Sequence, residues 1–392
     1  MSGWRVVLVV LRKELRDGIR DRRSLWSLAF SAALAPLLFG LLFTVAAERR
    51  RSADDLVLPI AGAQHAPSFV AWLRQQSGVT VVPAPADPEA AVRDRRVDVI
   101  LIVEPGFERD LARAVPAPVQ LVSDATRDGA RPTVTRVRNL VAAYSQLTGA
   151  LRLVARGVAP STATALRIEE VEVSSAQQRL ASQLSILPML LVIAALTGGL
   201  QIAIDATAGE RERGSLEPLL LNPVSRRALA MGKWLAASIF SCGAVVLSLV
   251  LTIVVLRQVP WHDLGMRFTV SDAALVSLMG LVLPAAFLLS AFVLFASTFA
   301  RSFKEAQSYL GMLMLVPMIP GMISTIYPLS NRPWLAPVPL VGQYALAADV
   351  LGGGRPGALL FGAAASAALI VALMLVTATA RLLTREAVVF GR

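Results

Sequence analysis

The sequence predicts an α-helical integral membrane protein: six transmembrane helices, with an α/β extracytoplasmic domain inserted between the first and second. Three observations predict it. Of 392 residues, 55% are hydrophobic and only 17% charged, with a mean hydropathy of +0.61, far from a soluble globular average. Six charge-free apolar runs, at 25–47, 184–204, 234–256, 273–300, 306–329 and 357–380, each reach the ~20 residues needed to span a bilayer. Finally, the polar segment 48–181 alternates strand-like and helix-like stretches.

Residues 1–24 read as a cytoplasmic amphipathic helix lying in the membrane interface. Trp4, Leu8, Leu11, Leu15 and Ile19 fall on one side at helical spacing, and Arg16 is among seven basic residues around them. The run that follows, 25–47, is 23 residues long. That exceeds the ~7–15 of a signal-peptide core, so an uncleaved first span is expected.

In the extracytoplasmic domain, 48–181, strands are expected at 56–61, 79–82, 97–103 and 119–122, with helices at 67–76, 87–95 and 105–114 between them. This βαβα order predicts a small, largely parallel sheet covered by helices. A longer helix near 133–156 and a strand near 165–173 lead back to the membrane.

Residues 182–392 form the five-helix remainder. Its prolines, Pro188, Pro284, Pro317 and Pro320, are tolerable where neighbouring helices satisfy the freed carbonyls. The stretch 340–351 is apolar with a lone acid, Asp349, and reads equally as a short interfacial or re-entrant helix and as a surface-loop helix.

The connection 205–233 carries the densest charge after the N-terminus. Glu210, Arg211, Glu212 and Arg213 alternate in sign, and Gly214 then breaks the run. Ser215 is placed to cap a short helix through Leu221, with Pro218 in its first turn; Ser225 is placed to cap the next. Leu216, Leu219 and Leu220, with Glu217 among them, give that short helix an apolar face. A solvated juxtamembrane loop and a docking helix for a soluble partner both fit this pattern.

The chain carries a formal charge of +11, and its placement explains it. With the N-terminus inside, the inside segments hold seventeen basic residues and the two short outside loops hold four. Membrane topology demands that asymmetry, so no nucleic-acid partner is expected. A single cysteine, Cys242, excludes an intrachain disulfide, and His65 and His262 have no metal-ligand neighbours at useful spacing, so no metal site is expected. No G-x-x-x-x-G-K-[ST] occurs, since Gly232-Lys233 leads into Trp234; no cofactor and no catalytic residue is expected in this chain. An intramembrane enzyme would need paired acids within the apolar runs, and none is there. A membrane sensor would need a signalling domain beyond the twelve residues after Ala380.

Three runs carry a resemblance. They are Ile204-Asp205 followed by ERERGSLEPLLLNPVS at 210–225 and Gly232-Lys233; RKELRDGIRDRRS at 12–24; and REAVVF at 385–390. Together they resemble type-2 ATP-binding-cassette (ABC) exporter permeases, and more narrowly the sodium-extrusion type called NatB. The resemblance implies a permease subunit in the cell inner membrane, both termini cytoplasmic, with residues 1–24 as its surface helix among the lipids. It implies that 205–233 couples to a separate ABC ATPase subunit, which binds the ATP, and that two permeases, identical or merely similar, work as a pair. It also implies sodium export. The apolar runs contain no Asp, Glu, Lys, Arg or His, so a sodium path would have to use neutral oxygens such as those of Thr197, Ser241, Ser248 and Thr252. Such an interior suits amphipathic drugs, peptides or lipid-like cargo equally.

Overall fold

The computed structural model describes residues 3–163, 174–216, 218, 223–262, 268, 270–326 and 332–384. The chain divides into two compact units, Met1–Thr44 with Ser174–Arg392, and Val45–Val173.

The first unit is helical. Among the described residues, six helices are long and apolar enough to cross a membrane: Arg22–Glu48, Leu187–Glu212, Arg226–Gln258, Asp272–Ser297, Phe303–Ser324 and Ala358–Leu382. They are called spans one to six below. Trp26, Phe30, Val276, Met312 and Leu359 are each more than 70% exposed on them, a surface that belongs in lipid rather than water. An N-terminal helix, Gly3–Arg20, precedes span one. Asp21 separates the two and caps the second: its carboxylate accepts from the backbone N–H groups of Arg23 and Ser24, each at 3.1 Å, and from the Ser24 hydroxyl.

Span three is the central element and packs against the N-terminal helix and spans two, four and six. Small residues let it approach closely. A Cβ on Gly198 or Gly199 of span two would collide with Ala244, or with Ser241 and the Ala237 carbonyl, of span three. Gly232 of span three lies against Val10, and a Cβ there would stand 2.7 Å from Val10 Cβ and 3.0 Å from the Val7 carbonyl oxygen. Replacing Gly232 with Leu should therefore push the N-terminal helix off, at about 1–3 kcal/mol or more of overpacking. Hydrogen–deuterium exchange reads the result: uptake at residues 6–10 should rise, and parental protection there would refute this packing.

Of the four hydroxyls a sodium path would use, three are hydrogen-bonded within the helices, and that of Ser248 is buried with no partner among the described residues. Ser241 shares a hydrogen bond with Ser290 at 2.8 Å, while Thr197 and Thr252 donate to carbonyls in their own helices, Ile193 and Ser248. Pro188 disrupts nothing, because it stands in the first turn of its helix, where no N–H is required. The stretch 340–351 is largely buried against the helical unit. The helix Val341–Leu351 packs on spans two, four, five and six, with the Gln343 amide donating to the Ala364 carbonyl and the Tyr344 hydroxyl to that of Pro317.

The second unit holds a four-stranded sheet: β1 Leu56–Ala61, β2 Val79–Pro83, β3 Val99–Val103 and β4 Val119–Ser123, in the order β2-β1-β3-β4. β1 pairs in parallel with β2 and β3, and β4 joins antiparallel at the edge, Val99 facing Ser123. Helices Pro67–Arg74, Pro88–Arg93 and Phe107–Ala112 lie between the strands. Pro67 and Pro88 each open a helix, and Asp87 caps the second by accepting from the Ala90 N–H. The long helix Arg131–Ala155 joins the core, where Val137 is fully buried beside Leu58, Leu73 and Leu101. The strand expected near 165–173 lies outside the described residues.

Candidate functional site

The charged connection is not a loop at its start. Span two was expected to end at Ile204, yet helical structure continues to Glu212 through a π-helical turn at Asp205–Gly209. Ala206, Thr207, Ala208 and Gly209 are buried there, and the Thr207 hydroxyl meets that of Ser297 in span four at 2.7 Å. The π turn adds a residue to the helical register, and such turns recur at functional sites.

Gly214 then ends the helix. Its φ of 66° places it in the left-handed region, its N–H returns to the Arg211 carbonyl, and the Ser215 N–H returns to that of Glu210. This pair of bonds is a Schellman motif, which satisfies carbonyls left over at a helix end. Nothing stands within 4 Å of where a Cβ on Gly214 would project, so glycine is required by the backbone angle and not by space. The Ser215 hydroxyl donates to the Glu210 carbonyl, which ties it back to span two. Ser225 does precede span three in the extended conformation of a cap, but its side chain makes no capping bond to that helix.

Four charged side chains meet at this junction. Lys233, seven residues into span three and 2% exposed, donates to Glu210 at 2.6 Å and to Glu14 at 3.0 Å. Lys13 donates to Glu210 at 2.6 Å and to Glu14 at 3.1 Å from the half-exposed side. Burial alone would lower the pKa of the Lys13 ammonium; the hydrogen bond and charge of Glu210, with Glu14 beside it, overcome this and raise it. The cluster therefore clamps the N-terminal helix, the end of span two and the start of span three together.

The rest of the alternating run is also engaged within the chain. Arg211 turns inward and donates to the carbonyls of Ala300 at 2.6 Å and Thr298 at 2.9 Å, at the C-terminal end of span four, where a cation also meets the helix dipole. Glu212 accepts from the Phe303 N–H at 2.7 Å. Arg213 pairs with Asp205 at 2.8 Å, and that hydrogen bond raises its pKa. Leu216 is 3% exposed and packs with Val6, Val7, Val10, Ala228 and Leu229, so it is not available to a partner. Glu217, Leu219 and Leu220 lie outside the described residues.

On the N-terminal helix the buried face is Val6, Val7, Val10, Glu14 and Gly18. Trp4, Leu8 and Ile19 are exposed, Leu11 and Leu15 half-buried, and Arg16 exposed. The sequence carries a signal for Glu14: at the spacing Val7, Val10, Glu14, Gly18 it is an acid on an otherwise apolar stripe. An open cleft of about 570 Å³ lies at the same junction. Its walls carry Asp21, Asp205 and Glu212 beside Arg23, Arg213 and Lys304. Three acids and three bases suit a protein surface of mixed charge better than a polyanion.

Residues 8–385 match the family described as ABC-2 family transporter protein. The chain belongs to that family. It is also similar to the ABC transporter permease protein NatB of Bacillus subtilis (strain 168), at 30% identity over 319 residues, covering 79% of this chain and 80% of that protein. This ABC-2 chain is thus a permease subunit and a multi-pass membrane protein, and its family implies an ABC ATPase as partner.

Proposed function

We propose that the chain is the membrane half of an exporter in the plasma membrane, with both termini and the 205–233 connection on the cytoplasmic side. A separate ATPase subunit docks on that connection, and two permease chains, identical or similar, work as a pair. The observation that carries this reading is the clamp of Glu14, Glu210, Lys13 and Lys233. A push on the short segment after Gly214 is delivered to the end of span two, the start of span three and the N-terminal helix at once. A contact does such work only if it has different affinity for two states of the pair.

Sodium efflux is the cargo that the resemblance to the NatB type supports. Amphipathic drug, peptide or lipid-like cargo is the alternative, supported by apolar runs that contain no Asp, Glu, Lys, Arg or His. Reconstitution of the chain with its ATPase in inside-out vesicles tests both. ATP-dependent accumulation of radiolabelled sodium, with ATPase activity rising as sodium is added, is the expected result. ATPase activity that ignores sodium but rises with amphipathic compounds would replace sodium by the alternative, and failure of the ATPase to bind would remove the whole reading.

A further inference from the structure

The Val45–Val173 unit contains a cleft that nothing in the transport reading uses. It has a volume of about 310 Å³ and opens between the long helix Arg131–Ala155 and the segment from Phe107 to Val119. Packed interiors leave few voids larger than a water molecule, whereas ligand pockets begin at about 300 Å³. One wall turns on Ala114, held at a φ of 58°, which brings Val115, Pro116 and Ala117 to the rim. A non-glycine residue in that conformation is strained and is kept where the surrounding fold requires it.

The chemistry of the walls is asymmetric. Phe107, Leu111, Val141 and Tyr144 supply an apolar and aromatic surface; Phe107 stacks on Phe69 at 6.0 Å between ring centroids, and Tyr144 meets the same ring at 4.8 Å. Rings fixed by their neighbours offer a preformed surface at little entropic cost. Arg152 is the one charged residue lining the cleft. A single guanidinium nitrogen is anchored, donating to the Leu111 carbonyl at 2.6 Å, and among the described residues no carboxylate pairs with it. An anchored guanidinium with free donors is a preorganised seat for a carboxylate.

We propose that this cleft binds a small amphipathic organic anion, its apolar body against Phe107, Leu111, Val141 and Tyr144 and its acidic head on Arg152. A neutral or cationic molecule of the same shape leaves the guanidinium unpaired, and so binds less well.

The test uses the full chain in lipid nanodiscs and calorimetric titration with naphthoate, naphthylmethanol and naphthylmethylammonium, with empty nanodiscs subtracted for partitioning. Naphthoate should bind saturably, about tenfold or more tighter than the alcohol, with the ammonium weakest. Arg152→Gln should reduce naphthoate binding to the level of the alcohol. Thr148→Trp fills the cleft from its rim and should abolish binding of both, which keeps the test decisive if the arginine variant does not fold. Equal affinity for naphthoate and the alcohol, binding unchanged by Thr148→Trp, or no heat above empty nanodiscs would each overturn the proposal.

Discussion

Replacing Lys233 with alanine should cost about 3–5 kcal/mol and sharply lower the yield of folded protein, because it strips the partner from buried carboxylates. Glu14 and Glu210 are each 5% exposed or less, and Lys233 donates to both. Lys13 reaches the same two acids, so the variant would bury one unbalanced negative charge. The cause is buried charge without a partner, so removing the buried charges together, which leaves only the half-exposed Lys13 with Asp17 at 3.8 Å, should relieve it. The triple variant Glu14→Gln, Glu210→Gln, Lys233→Met should recover a thermal midpoint near the parental one, since apolar or neutral replacements of a buried ion cluster are often tolerated. Size-exclusion fluorescence after heating compares the three proteins. A Lys233→Ala chain with the parental midpoint would show that the clamp holds nothing. A triple variant that folds but no longer couples ATP hydrolysis to transport would place the clamp in the transmission of movement as well as in stability.

Changing Leu219 and Leu220 together to Ser should leave membrane insertion intact, weaken copurification of the ATPase and abolish transport. Each leucine buried in a partner's groove is worth roughly 1.5–3 kcal/mol, part of which association itself consumes. Exposed ion pairs contribute only about 0–1 kcal/mol each, so in a docked complex the leucines should contribute more than the charges. Leu216 provides the contrast. It is buried inside this chain with Val6, Val7, Val10 and Leu229, so Leu216→Ser should lower the thermal midpoint of the permease alone. Pull-down of the ATPase and a melting curve for each variant separate the two effects. A Leu219/Leu220 variant that still recruits the ATPase and transports at the parental rate would reduce the segment to a solvated connection.

The sequence by itself determined the elements whose signal is local. Six spans were legible because a bilayer demands about twenty apolar residues in a row, and that demand is written in consecutive positions. The four strands and intervening helices of the inserted unit were legible because Pro67, Asp87 and Pro88 punctuate alternating apolar runs. The need for a special backbone at Gly214 was legible because glycine alone reaches a φ of 66° cheaply. What only the tertiary structure decided was the fate of the charges. Glu14, Glu210 and Lys233 are separated by up to 219 residues, and no spacing rule relates them. Taken singly, a charged residue beside a membrane span carries no mark of burial. Close packing at Gly232, and a second span that runs past Ile204 through a π turn, bring them to one buried point. The same packing turned Leu216 and Arg211 inward, away from any partner. A charge can leave water only where an opposite charge meets it, and that meeting is a property of the assembled helices rather than of any one of them.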